Sequence, residues 1–146
     1  MKYIKLFLTS ILILALSSAC TGQDRIIKAS DLPTKAQTML NDIFKGRQTT
    51  LVQRDKDGLK TFYDVVLDDG TKIEYDDKGE WCEINSKPNS VPTSLIPSQI
   101  IEYVKQNFAN ANIVQIERDR RGYEIDLSTG IDISFDKDMK VRKLDD

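Results

Sequence analysis

The sequence contains no histidine, which removes Ser–His–Asp and Cys–His nucleophilic arrangements and the zinc sites built on imidazole. Its two cysteines, Cys20 and Cys82, are too few for a disulfide framework, even in an oxidising compartment. It also lacks a Gly-rich phosphate loop and a Gly-x-Ser-x-Gly elbow. No low-complexity tract occurs, which speaks against disorder away from the termini. The longest apolar run, Leu6 to Leu16, falls short of the roughly 20 residues a membrane-spanning helix needs.

That run has a different meaning. Lys2 and Lys5 precede it, and Ser17, Ser18, Ala19 and Cys20 follow, the order of a secretory signal with a small-residue cleavage end. Ser18-Ala19-Cys20 resembles the end of a lipobox, with Cys20 as the residue to be lipidated; Ser17 stands where that motif usually has Leu. Cleavage before Cys20 equally suits an ordinary signal peptidase, so lipoprotein and soluble exported protein both stay open. Removing residues 1–19 takes Lys2 and Lys5 from 21 basic side chains and none from 23 acidic ones, leaving a net charge of −4. A mildly acidic domain with interspersed charges offers no footprint for nucleic acid or for anionic lipid headgroups. Any contact with a membrane would come through the lipid anchor.

The remaining chain is long enough for one compact domain or two very small ones. Its organising feature is a repeated hairpin. Apolar residues alternate through Tyr123, Ile125 and Leu127, pause at Ser128-Thr129-Gly130, and alternate again through Ile131, Ile133 and Phe135. The same pattern occurs earlier, from Tyr63 to Asp76. Period two on both sides of a Gly-ended loop predicts a β-hairpin with one buried face.

The correspondence extends upstream. Ala36, Met39, Leu40, Ile43 and Phe44 fall on one helical face, after Leu32-Pro33; Ser30 or Asp31 is the expected cap and Gly46 the stop. Sixty-four residues later stand Ile96-Pro97, Ile100, Tyr103, Val104 and Phe108. The offset then falls to 60, which assigns the first copy a four-residue insert, Leu59–Phe62, at one turn. Each copy is predicted as a helix and four strands, near 49–54, 61–67, 71–76 and 80–84, then 113–118, 123–127, 131–136 and 140–144. One copy alone would bury little core, so the two are expected to share a sheet or to pack together.

Loop geometry sets the expected register. A three-residue loop ending in left-handed Gly pairs Leu67 with Thr71, Val65 with Ile73 and Tyr63 with Tyr75. The next turn sets Trp81 opposite Tyr75 and Cys82 opposite Glu74. Met139 replaces Gly79 in the second copy, so that turn needs different geometry or strain. The predicted buried face is Tyr63, Val65, Leu67, Ile73, Tyr75 and Trp81, with Tyr123, Ile125, Leu127, Ile131, Ile133, Phe135 and Val141. The predicted bare face carries Asp64, Val66, Lys72, Glu74, Cys82 and Ile84, then Glu124, Asp126, Asp132, Ser134, Arg142 and Leu144.

Leu-Pro, a helix, then Gly-Tyr-Glu-Ile-Asp-Leu-Ser-Thr-Gly and Ile-Ser-Phe-Asp, twice over, resembles the PepSY-like family across roughly residues 25–146. Its exported members are described as β-lactamase-inhibitor-like. The resemblance implies an α+β fold of two tandem helix-plus-four-strand repeats, forming a curved antiparallel sheet with helices on one face. It also implies a non-enzymatic role in binding or inhibiting an exported protein. The shared pattern is structural and carries over no inhibitory residue.

Candidate chemistry is sparse. Asp55-Lys-Asp-Gly58 resembles part of a calcium loop, but Gln53 occupies the first ligand position and the flanks read as strands, so it is read as a turn. Trp81 is read as core rather than as a binding anchor, and Cys82, beside an acid, as an inert thiol. Asp126 should face Asp132 and Asp64 should face Glu74, like charges set opposite each other against the cross-strand rule. These acids with Glu124, and Phe62 at the rim, form the candidate protein-binding face for a basic partner. No catalytic residue, metal ligand or cofactor is assigned.

The expected division is a signal over 1–19, a leader and first repeat over 20–88, and a second repeat over 89–146. The expected protein is an exported binding module in the periplasm, or on the outer membrane, of a Gram-negative bacterium. The alternatives are a structural or chaperone-like envelope protein and, more remotely, a carboxylate-based enzyme.

Overall fold

The computed structural model describes residues 25–145. Cys20 and the signal expected over 1–19 lie outside the described residues. Nine strands form one open antiparallel sheet in chain order: β1 (Arg25–Ile26), β2 (Thr49–Asp57), β3 (Lys60–Leu67), β4 (Lys72–Asp76), β5 (Trp81–Asn85), β6 (Ile113–Asp119), β7 (Gly122–Leu127), β8 (Asp132–Asp136) and β9 (Val141–Asp145). Two helices, α1 (Thr34–Ile43) and α2 (Ser98–Asn107), precede β2 and β6. The class is α+β, with eight strands where expected and the two-residue β1 as an unforeseen addition. The two halves share the sheet through β5 and β6, where Ile84 faces Ile116.

The predicted hairpin registers are present. Tyr63 faces Tyr75 and Val65 faces Ile73, while the Leu67 amide donates to the Thr71 carbonyl at 2.9 Å. Tyr123 faces Phe135 and Ile125 faces Ile133. Gly70 and Gly130 close their loops at φ of 84° and 89°, the left-handed conformation that a type I turn plus bulge demands.

Alternation then decides what is buried. Val65, Leu67, Ile73, Tyr75, Ile125, Leu127, Ile133 and Phe135 form one cluster with Ala36, Phe44, Ile100 and Val104 of the helix segments. Tyr103 of α2 sets its ring edge-on to Phe135, 5.6 Å between centroids. Trp81 is buried, and the Arg118 guanidinium lies 3.9 Å from its ring centroid while Arg118 Nε donates to the Trp81 carbonyl at 2.7 Å. Trp81 is core, as expected.

Several expectations are corrected. Neither Ser30 nor Asp31 caps α1; the preceding residue is Pro33, and the Asp31 carboxylate instead accepts the Lys28 amide, closing a 3-10 turn at Ala29–Asp31. Leu59–Phe62 does not form an inserted turn. Asp55 faces Phe62 and Asp57 faces Lys60, so the extra residues lengthen both strands of the β2–β3 hairpin. Phe62 is therefore a ladder residue, between Asp55 and Asp76.

The largest correction comes from a β-bulge at Cys82. Tyr75 faces Trp81, but Glu74 faces Glu83 and Ile73 faces Ile84, because one extra residue on β5 swaps the faces beyond it. Ile84, expected on the bare face, is fully buried. The equivalent irregularity at Arg142 sets Ile133 opposite Leu144. Val141, expected in the core, is 39% exposed and Leu144 48%, because β9 is the sheet edge. Met139 keeps the left-handed conformation of Gly79, with φ of 61°, and its amide donates to Asp136 just as Gly79 donates to Asp76. The second turn thus keeps its geometry and accepts strain.

Candidate functional site

The face of the sheet away from the helices carries a continuous row of carboxylates. Antiparallel pairing sets directly opposed residues side by side. Asp64 on β3 faces Glu74 on β4, Glu74 faces Glu83 on β5, Glu83 faces Glu117 on β6, and Glu117 faces Glu124 on β7. Five successive strands contribute an acid, with no basic residue in direct cross-strand position among them. At the usual spacing between strands the row spans roughly 19 Å. The neighbouring row runs Lys72, Asn85, Gln115, Asp126, Asp132 and Asp145.

Each expected site residue is thereby placed. Asp64, Glu74 and Glu124 belong to the first row and Asp126 and Asp132 to the second, where they are opposed as predicted. Phe62 lies on the same face, two residues before Asp64. Two members of the row, Glu83 and Glu117, escape a reading by sequence alone. Glu83 is assigned to the wrong face unless the bulge at Cys82 is known, and Glu117 joins the row only through β5–β6 pairing.

Those two are chemically the most perturbed. Glu83 is mostly buried, and desolvation, then the charges of Glu117 and Glu74, push its carboxyl up to about 7. More than a third of the Glu117 surface reaches solvent, yet desolvation and Glu124 push its carboxyl up as well. Asp126 is raised by burial and by Asp132, against the pull of Lys87 at 3.9 Å. Neutral donors offer partial relief: Gln115 donates to Glu83 at 3.1 Å and Asn85 to Gln115 at 2.8 Å.

Cys82 is a free thiol beside this row, raised to about 11 by burial and by Glu74 and Asp76. That direction agrees with the inert reading. Asp55 and Asp57 are strand residues of β2. Among the described residues no cluster of three or more acidic or sulfur ligands converges in a way that could hold a metal ion. A cavity of about 320 Å3, lined by Thr34, Lys35, Thr38, Met39, Gly79, Glu80 and Trp81, lies against α1 rather than against the acidic row.

An open antiparallel sheet with two helices on one face and an acidic row on the other defines the class of molecule. The family model described as "Putative beta-lactamase-inhibitor-like, PepSY-like" matches residues 61–143, and the chain belongs to that family. Solved structures agree. A Bacteroides vulgatus periplasmic protein of the DUF2874 family is 36% identical, with a TM-score of 0.82 over 84% of this chain and 97% of its own. A Bacteroides thetaiotaomicron protein described as a "putative calcium-regulated periplasmic protein" is 33% identical, with a TM-score of 0.82 and the same coverage. A further B. vulgatus periplasmic protein of unknown function is 37% identical, with a TM-score of 0.81 over 85% of this chain and all of its own. No curated protein matches.

Proposed function

We propose that the protein is a non-enzymatic exported module of the cell envelope that binds a basic protein partner through the acidic face of its sheet. The single observation that carries this reading is the row from Asp64 to Glu124, in which every neighbour is another acidic residue. Such opposition destabilises a sheet. A partner presenting Lys or Arg at strand spacing converts the repulsion into complementarity, chiefly as faster association and salt-dependent specificity. Phe62 adds an apolar contact at one rim, and Asp126 with Asp132 extends the face at the other end. The inhibitor-like description of the family makes a secreted or periplasmic enzyme, a protease or β-lactamase, the partner class to test first.

The periplasmic descriptions of its relatives support the same compartment for this chain. A signal over 1–19, with Cys20 as lipid attachment point, would place it on a membrane facing that compartment. Detergent partitioning that disappears in Cys20→Ser tests the anchor. The matching bulges at Cys82 and Arg142 support two copies of one helix-plus-four-strand unit, over 20–88 and 89–146.

The binding face is tested by immobilising the mature domain, passing envelope extract over it and eluting with salt. A protein retained by wild type, released by salt and lost in Glu83→Gln/Asp126→Asn/Asp132→Asn is the expected result. Retention unchanged in that variant, with unchanged salt sensitivity, would remove the acidic face from the account. Calcium in a parallel column distinguishes a cation-dependent face from direct protein contact.

A further inference from the structure

The side of the sheet that carries the helices ends, beside β1, in a surface cavity of about 540 Å3 bordered by Arg25, Ile26, Lys28, Asp31, Arg54 and Tyr63. Three cations meet one carboxylate there, and that carboxylate already accepts the Lys28 amide at 3.2 Å. Arg54 stands on β2 opposite Tyr63, and its Nε is buried with no hydrogen-bond partner in the protein. A buried charged donor without an acceptor is costly to keep, and a guanidinium is shaped to grip an oxyanion through parallel N–H bonds. The geometry points to a binding site for a phosphate group, taken by the Arg54 guanidinium with Arg25 and Lys28 around it.

The rim of the cavity indicates which phosphate. Ile26 is 77% exposed between Arg25 and Lys28, and an apolar side chain set among cations is the composition of a membrane-surface contact. Arg25 follows Cys20 by five residues, a reach of about 17 Å when fully extended. A lipid on Cys20 would therefore hold this cavity at the headgroup layer, where an acyl anchor needs a second, basic contact for stable attachment. The ligand is accordingly the phosphate of an anionic phospholipid headgroup. The acidic row lies on the opposite face of the sheet, so headgroup contact leaves it open to a partner. This placement at the membrane rests on the anchor reading, whereas the phosphate chemistry does not.

The experiment uses the mature chain carrying Cys20→Ser, so that binding reports the cavity and not the anchor; partitioning of the lipidated chain reads the anchor separately. Co-sedimentation is measured with vesicles of phosphatidylcholine alone and mixed with phosphatidylglycerol, and glycerol 3-phosphate is titrated in solution. Binding only to the phosphatidylglycerol vesicles, weakened about fivefold or more by Arg54→Gln and by Arg25→Gln, is expected. If glycerol 3-phosphate binds and these variants abolish it while vesicles do not bind, the phosphate site stands and the lipid assignment falls. Binding to neither, or variants that bind as wild type does, overturns the site. Thermal melts accompany each variant, and the exposed Arg25→Gln remains decisive should Arg54→Gln fail to fold.

Discussion

Replacing Glu83 with Gln should stabilise the protein at pH 8 and flatten its dependence on pH. Glu83 is mostly buried between Glu74 and Glu117, and its carboxyl is raised from the ordinary 4.5 to about 7. Between those values the folded state holds more protons than the unfolded one, so stability falls as pH rises through the interval and the full penalty applies above it. A shift of that size sets an upper limit of roughly 3 kcal/mol. Residual solvent access and re-pairing with Gln115 reduce the expected gain to about 1–2 kcal/mol, or roughly 3–8 °C in melting temperature. Glu117 and Asp126, raised in the same direction, keep part of the slope in the variant. The assay is thermal unfolding followed by circular dichroism at pH 5.5 and pH 8 for both proteins. Glu80, Asp119 and Asp136 are lowered, and their contribution is lost only in more acidic solution. Wild type melting equally at both pH values, or Glu83→Gln melting lower at pH 8, would refute the reasoning.

Phe135→Ala should cost roughly 3–5 kcal/mol, since the ring is 2% exposed and packed against Tyr103, whereas Glu124→Ala on the opposite face should change stability by about 0.5 kcal/mol or less. Urea unfolding checks the pair, and similar midpoints would mean that the faces are misassigned. Gly79→Ala should destabilise by more than about 1 kcal/mol, because the added carbon would lie 2.9 Å from the Ala36 amide nitrogen at φ of 80°; an unchanged melt would contradict that close approach. With its thiol raised to about 11, Cys82 should react with a disulfide reagent at pH 7.5 roughly 20-fold more slowly than a free thiol, the lost thiolate being partly offset by greater nucleophilicity. Reaction at the rate of a small free thiol would mean that Cys82 is not shielded.

Most of the fold was legible because its signals are local. Alternation through Tyr123, Ile125 and Leu127 and the Gly-ended loops name the hairpins and their registers, and helical spacing from Ala36 to Phe44 names α1. Bulges and edges were not legible. An extra residue at Cys82 leaves no mark in a period-two pattern that continues on the other face, so strict alternation puts Ile84 and Glu83 on each other's faces. Val141 has a core-type sequence position, but strand order makes β9 the edge and exposes it. The candidate site was half legible for the same reason. Asp64 with Glu74 and Asp126 with Asp132 lie within single hairpins, whereas the row they belong to depends on one bulge and on the β5–β6 junction.

The central claim is that the acidic face engages a partner, and Phe62 offers the most direct test. A photo-crosslinking amino acid at position 62, introduced into the full chain in its native envelope, captures whatever docks beside Asp64 and Glu74, and mass spectrometry identifies it. Wild-type acids should give one dominant adduct with a basic contact surface. That adduct should vanish at high salt and in Glu83→Gln/Asp126→Asn/Asp132→Asn, while the variant melts at or above the wild-type temperature. An adduct of equal yield in the folded, charge-removed variant would contradict the account.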